Sequence, residues 1–347
     1  MSKYLVVDRI EFVVTYLCNS KCRHCLLGEE RRSELFPSHL DKDKAVEIVR
    51  KVSTAYSPRS VMTFGGEPLL HPDVVYAIHK EAKERGIPVR EVLTNGFWST
   101  KPEQIRRIAG SLAESGVNDV SISVDCFHQE FVPLKIVEEA AASLVEAGIE
   151  RVSWNPCWVV SKNHDNEYNR RTKSILKRLC HLNVEESEGN ILQPEGKAQS
   201  YLAEFLPPRT SLPKEKCGEI PYTEALDSVK AISIEPDGRV AVCKNFYVGN
   251  AFQKDITSIL RDYDPFKIPE GKAILQKGIQ GLAEWAEKKG IRKKAEGYYT
   301  TCHMCTDIRE RVAKHALGGH FVMEPESRAR DYKRVLSADE RQDRRHS

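Results

Sequence analysis

Three cysteines fall close together as Cys18-x3-Cys22-x2-Cys25, directly after an apolar run at residues 10–17. Thiolates this close on a short loop can grip one metal centre. Three are one short of the set that closes a four-iron cluster used for electron transfer alone. The missing ligand leaves one iron open to an outside molecule, the state that separates a catalytic metal site from a structural one. Zinc is the alternative, with His24 beside the three thiolates as fourth ligand. A second set, Cys217, Cys243, Cys302 and Cys305, holds enough thiols to close either an iron–sulfur cluster or tetrahedral zinc.

Other reactive side chains gather at the ends of strand-like runs. Phe64-Gly65-Gly66-Glu67-Pro68 offers two glycines that let the backbone approach a ligand or take positive φ, and a carboxylate that can accept from an ammonium. Thr94-Asn95-Gly96 closes another run. In Ser121-Ile122-Ser123-Val124-Asp125, alternation puts Ser121, Ser123 and Asp125 on one face. The plainer reading is a polar strand end capping the next helix. Cys126 follows Asp125 at once, and Cys157 stands among Trp154, Asn155 and Trp158. Both are candidate hydrogen-atom donors, with buried packing as the competing role. His128 and Glu130 are candidate proton acceptors, and Cys180 reads as core.

The elements that must position these groups repeat evenly. Strand-like runs at 61–64, 89–94, 117–124 and 152–160 alternate with helix-period segments at 42–55, 72–85, 102–115 and 133–147. The markers Val61, Val92, Ile122 and Val152 stand 31, 30 and 30 residues apart, the length of a βα unit, which argues for a parallel sheet. Gly86, Gly116 and Gly148 fall just past helices, where a left-handed cap is wanted. With strands at 10–17 and near 184–193 the pattern predicts a partial, TIM-like (β/α)6 barrel at residues 1–208, with chemistry at the C-terminal strand ends. Beyond Pro207-Pro208 the rhythm stops. A β-hairpin around Pro236-Asp237-Gly238 plus a helix predicts a smaller domain at 209–320, and a charged tail follows at 321–347.

The 347 residues carry a net charge of +3, with 40% hydrophobic and 30% charged residues, so nothing points to a nucleic-acid-binding face. The apolar runs are too short to span a bilayer, and the N-terminus lacks a signal-peptide layout. The expectation is a cytoplasmic protein whose clustered thiols serve metals rather than disulfides.

Taken as a set, the cysteine triplet at the end of a first strand and Gly-Gly-Glu one unit later resemble the radical SAM superfamily. That resemblance implies a [4Fe-4S] cluster on Cys18, Cys22 and Cys25, its open iron chelated by S-adenosyl-L-methionine. It implies that Gly65, Gly66 and Glu67 hold the methionine amino group and that Asn95, Ser121 and Ser123 contact ribose and carboxylate. Asp125 would touch cofactor or substrate, and His24 would flank the adenine. Gly238-x4-Cys243 followed by Val248-Gly249-Asn250 resembles the start of the SPASM and Twitch extensions, which implies one auxiliary [4Fe-4S] cluster on the second cysteine set. Structural zinc stays open there. Gln193-Pro194-Glu195-Gly196-Lys197-Ala198 is similar to a Gly-Arg-Ala stretch of that group, with lysine for arginine.

The implied activity is reductive cleavage of S-adenosylmethionine, fed by an external flavodoxin- or ferredoxin-type donor. The resulting 5′-deoxyadenosyl radical abstracts a hydrogen atom from substrate. A fully ligated second cluster favours a net oxidation or a crosslink, whereas a thiol donor would permit epimerisation. The expected substrate is a residue in a ribosomally made peptide or protein. The alternatives are dehydrogenation of a small metabolite and a zinc-stabilised, non-catalytic binding protein.

Overall fold

The structure, a computed structural model, describes residues 2–27, 38–182, 184–244 and 246–315, so the tail expected from residue 321 lies outside them. In chain order the elements are β1 (Leu5–Thr15), α1 (Lys42–Ala55), β2 (Ser60–Gly65), α2 (Pro72–Glu84), β3 (Val89–Thr94), α3 (Pro102–Glu114) and β4 (Asp119–Ser123). Next come α4 (Leu134–Glu146), β5 (Arg151–Asn155), β6 (Cys157–Trp158), α5 (Glu167–Arg178), β7 (Glu185–Glu186), β8 (Asn190–Ile191) and α6 (Ala198–Tyr201). The C-terminal region holds β9 (Val229–Ile234), β10 (Arg239–Cys243), β11 (Phe246–Asn250), α7 (Ile256–Arg261), α8 (Pro269–Glu287) and α9 (Thr301–His315).

Local chemistry sets the element ends. The Asp41 carboxylate caps α1 by accepting from Lys44 N at 2.9 Å, and prolines start α2 and α3 where no helical N–H is needed. Along β1, Ile10, Phe12 and Val14 are fully buried on one face, while Arg9 and Glu11 point the other way. The apolar face meets the helices and forms the main core with Val61, Val92, Val120 and Val152. The opposite, concave face is polar. Arg9 stands between Glu11 and Glu91, at 3.7 and 3.4 Å, and Arg151 reaches Asp119 at 3.1 Å.

The strands form an open sheet in the order β11-β10-β9-β1-β2-β3-β4-β5-β7, parallel from β9 through β7. This is a partial barrel with an added C-terminal region. Two expectations need correction. The run at 152–160 is cut by Pro156, which has no N–H for the ladder, and the sixth strand shrinks to two-residue pieces. β8 leaves the main sheet to pair with β6. Gly189 takes φ +76°, and a Cβ there would overlap the Pro156 carbonyl oxygen, so the chain turns at that point.

The predicted hairpin is present as β9–β10, but it is no separate layer. β9 pairs in parallel with β1, with Ile10 opposite Ile232 and Phe12 opposite Ile234, covering an edge that would otherwise lie open. Among the described residues no helix is long and apolar enough to cross a membrane.

Candidate functional site

The cysteine loop leaves the top of β1 and is gripped from three sides. Below it, Gly66 N donates to Thr15 O at 2.7 Å and Glu67 N to Leu17 O at 2.8 Å. Gly65 lies at φ +138°, and a Cβ on Gly66 would overlap the Leu17 carbonyl oxygen. The glycine pair thus lets the β2 turn nest against the chain entering Cys18. From β3, Asn95 Nδ2 donates to Asn19 Oδ1 at 2.8 Å and lies 3.8 Å from Cys18 Sγ. From the rim after β4, Glu130 is ion-paired to Arg23 on the loop and lies 3.9 Å from Arg171. Glu130, expected as a proton acceptor, is thereby a fastening for the loop.

Glu67 is held from the next strand as well. Its carboxylate is fully buried and accepts from Leu69 N at 3.0 Å, Thr94 Oγ1 at 2.8 Å and Asn95 N at 2.8 Å. Burial pushes it up to about 7 against those hydrogen bonds. A carboxylate so enclosed clasps β2 to β3. Ser121 also sits deeper than expected, sharing a 3.3 Å hydrogen bond with Ser153 Oγ inside the barrel. Ser123, two residues higher and opposite Asn155, stays at the rim.

Asp125 is the most heavily engaged carboxylate of the rim. Oδ1 accepts from Phe127 N at 2.9 Å and His128 N at 3.0 Å; Oδ2 accepts from His128 Nδ1 at 2.8 Å and Cys157 N at 3.0 Å. Burial works to raise its pKa, but the His128 ring and these donors hold the carboxyl well below the usual range. An ionised carboxylate only accepts, so His128 Nδ1 donates to it. His24 lies against the same pair, its ring 4.8 Å from both Phe127 and His128. Its Nδ1 is buried without a partner, and burial pulls it down to about 4, so the imidazole is neutral. His24, Asp125 and His128 bring donor atoms within 4.8 Å of one another, but Asp125 is already taken up by four N–H groups.

Cys126 and Cys157 share one apolar cluster with Cys22, Phe127, Val159 and Tyr168. Burial pushes Cys126 up to about 11 and Cys157 well above its ordinary value, so both stay protonated, the form a hydrogen-atom donor requires. Cys180, expected in the core, is exposed.

The second set of cysteines faces one cavity. Cys217 in a loop, Cys243 at the end of β10, and Cys302 and Cys305 on the first turn of α9 line one cavity with Lys244 and Arg309. Burial raises Cys217, and pushes Cys243 up to about 11 and Cys302 to about 12. Tetrahedral zinc with Zn–S near 2.3 Å would draw sulfurs to about 3.8 Å apart. Four thiols facing one cavity suit a four-iron cluster and tetrahedral zinc alike.

Sequence reading misses the ties between these groups. Tyr16 bonds Glu235 across β1 and β9, Lys244 Nζ pairs with Glu195 at 2.6 Å, and Arg309 lies over Cys305. Only the last has a local signal, the four-residue spacing on a helix.

Residues 12–169 match the sequence profile of the Radical SAM superfamily. A GTP 3′,8-cyclase of Streptomyces coelicolor is 29% identical over 167 residues, 46% of this chain and 47% of that protein. A probable GTP 3′,8-cyclase of Sulfurisphaera tokodaii is 26% identical over 248 residues, 70% of this chain and 68% of that protein. The chain spans about half the length of most of the first such relatives it matches. Among solved structures, a histidine-tagged anSMEcpe with bound AdoMet aligns over 95% of this chain and 98% of its own, with a TM-score of 0.50 at 13% identity. That likeness is one of fold.

Proposed function

We propose that this protein is an oxidising radical SAM enzyme whose second cysteine set carries an auxiliary iron–sulfur cluster. The observation that carries the reading is the pairing of two cysteine sites: a three-thiol loop clamped to the rim of an open barrel, and a four-thiol cavity at the end of the same sheet.

Cys18, Cys22 and Cys25 would hold the first cluster, with S-adenosylmethionine on its open iron, and Cys217, Cys243, Cys302 and Cys305 the second. When bound, these groups supply a radical that removes a hydrogen atom from substrate and an acceptor for the electron that follows. The protein's part is orientation and shelter. The Gly65–Gly66 turn and Asn95 fix the loop, and the apolar cluster of Cys126, Phe127, Cys157 and Tyr168 excludes water beside it. His128 Nε2, with its tautomer set by Asp125, accepts the proton that leaves substrate as the electron departs. Hydrogen atom, electron and proton are then all accounted for, and the product is oxidised.

The substrate we propose is a residue within a ribosomally made peptide or protein. What supports it is the open sheet, whose two edge strands do not pair with each other. A purine nucleotide is the second reading, favoured by the similarity to GTP 3′,8-cyclases.

The test is iron, sulfide and zinc per chain after anaerobic purification, followed by dithionite and S-adenosylmethionine. About eight irons and release of 5′-deoxyadenosine are expected. Zinc alone without deoxyadenosine would sink the reading. Raised deoxyadenosine release with GTP, and not with peptide, would select the second substrate class.

A further inference from the structure

We propose that Arg309 is a positioning residue for the second metal centre: its guanidinium, bonded to a ligand sulfur, sets the potential at which that centre takes an electron. The inference rests on the iron–sulfur reading of Cys217, Cys243, Cys302 and Cys305.

Arg309 follows Cys305 by one turn of α9, and helical side chains lean toward the preceding turn, so its head returns over the cysteine. Nε donates to Cys305 Sγ at 3.4 Å, and Nη2 donates to Lys244 O at 2.9 Å, one residue after Cys243. The Phe246 ring covers the group, 4.9 Å from centroid to guanidinium carbon. One side chain therefore touches the helix-borne ligand and fixes the strand end that carries another. All of them line the cavity shared by the four cysteines.

The direction of the effect follows from charge. A cluster on four thiolates is already anionic, and reduction adds one electron without breaking a bond. A fixed cation and an N–H···S hydrogen bond stabilise the more negative state, so they raise the potential. Arginine stays protonated throughout, so no proton accompanies the electron. Lysine would keep the charge but lose the planar fork that reaches Sγ and the carbonyl together.

The experiment uses the full chain with Cys18, Cys22 and Cys25 replaced by alanine, so that the paramagnetic signal comes from the second centre alone. The parent, Arg309→Gln and Arg309→Lys are poised with dithionite and mediator dyes, and the reduced cluster is read by electron paramagnetic resonance. Iron and sulfide are measured on each sample.

Arg309→Gln is expected to lower the reduced-to-oxidised ratio about tenfold at the parent's midpoint, a shift of about 59 mV for one electron. Arg309→Lys should shift it in the same direction by less. A parent-like midpoint in Arg309→Gln at full iron content overturns the proposal. So does iron loss in both variants with an unchanged midpoint in the clusters that remain, which would make Arg309 a packing residue. A parent protein holding zinc and no iron at this site overturns the reading of the cysteines, and the inference with it.

Discussion

Gly66 shows how one missing methyl group shapes the site. A Cβ there would run into the Leu17 and Tyr16 carbonyls, while at Gly110, on α3, it would meet nothing within 4 Å. Gly66→Ala must push the β2 turn off the chain that enters Cys18, at a cost of about 1–3 kcal/mol or more. We expect a lower melting temperature and less iron on the first site. Gly110→Ala should hold its iron and gain about 0.5–1 kcal/mol. Equal iron in both variants would show that the glycine contact does not support the loop. His79 makes a pH prediction at the same scale. It is fully buried, with its Nε2 2.9 Å from Thr63 Oγ1. Burial first, then the Arg90 charge, push it down to about 3. An unfolded histidine binds a proton near pH 6.5, so below that the unfolded chain holds more protons. Stability is thus whole above pH 6.5 and falls as the pH drops toward the folded value, by up to about 2 kcal/mol between pH 6.5 and 5. His79→Gln should flatten that slope in urea unfolding at pH 7 and 5; an unchanged slope would place the titration elsewhere.

At the scale of elements, α9 has one task that its sequence announces and one that it hides. Cys302-x2-Cys305 sits on the first turn and faces the cavity, as the spacing predicts. Cys302→Ala should cut iron from about eight to about four per chain while deoxyadenosine release continues, since the first cluster keeps its own three thiols. Loss of both would mean that the second site holds the fold together. The helices and early strands are legible because proline, glycine and alternating burial act locally: α1 and β3 fall where the period places them. Gly65 and Gly66 are legible as a special turn, but not as a turn that nests on β1. The enclosure of Glu67 is not legible, because nothing in Gly-Gly-Glu says that three donors from the next strand and turn surround the carboxylate. The β9 pairing with β1 is likewise invisible, because a parallel contact between residues so far apart leaves no local period. The broken strands beyond Pro156 are legible only in part, since the proline is in view but its consequence for β8 is not.

Across the whole molecule, the two cysteine sites are joined by one short segment after β8. Gly196, at φ +54°, packs on the Cys25 and Leu26 carbonyls, and Lys197 N donates to Cys25 O at 2.9 Å. One residue earlier, Glu195 pairs with Lys244, which follows Cys243 and whose carbonyl oxygen takes the Arg309 bond. A continuous path of backbone and polar contacts therefore runs from the first cysteine loop to Cys305. The Glu195–Lys244 pair is about a quarter exposed at each side chain, so solvent screens it less than a surface pair. Lys254–Asp262, at 57% and 53% exposure, is the natural comparison. Glu195→Gln and Lys244→Met should each lower the thermal midpoint, and the double variant should lose less than the two losses together, by the equivalent of about 0.5–1 kcal/mol. The same cycle on Lys254 and Asp262 should show almost no coupling. All variants are compared at matched iron content, so that cluster loss does not masquerade as coupling. If both cycles are additive, the segment 195–197 merely lies between the two sites. If only the inner pair couples, the first loop and the second cavity are held as one body, and the distance over which an electron must pass is fixed by the fold.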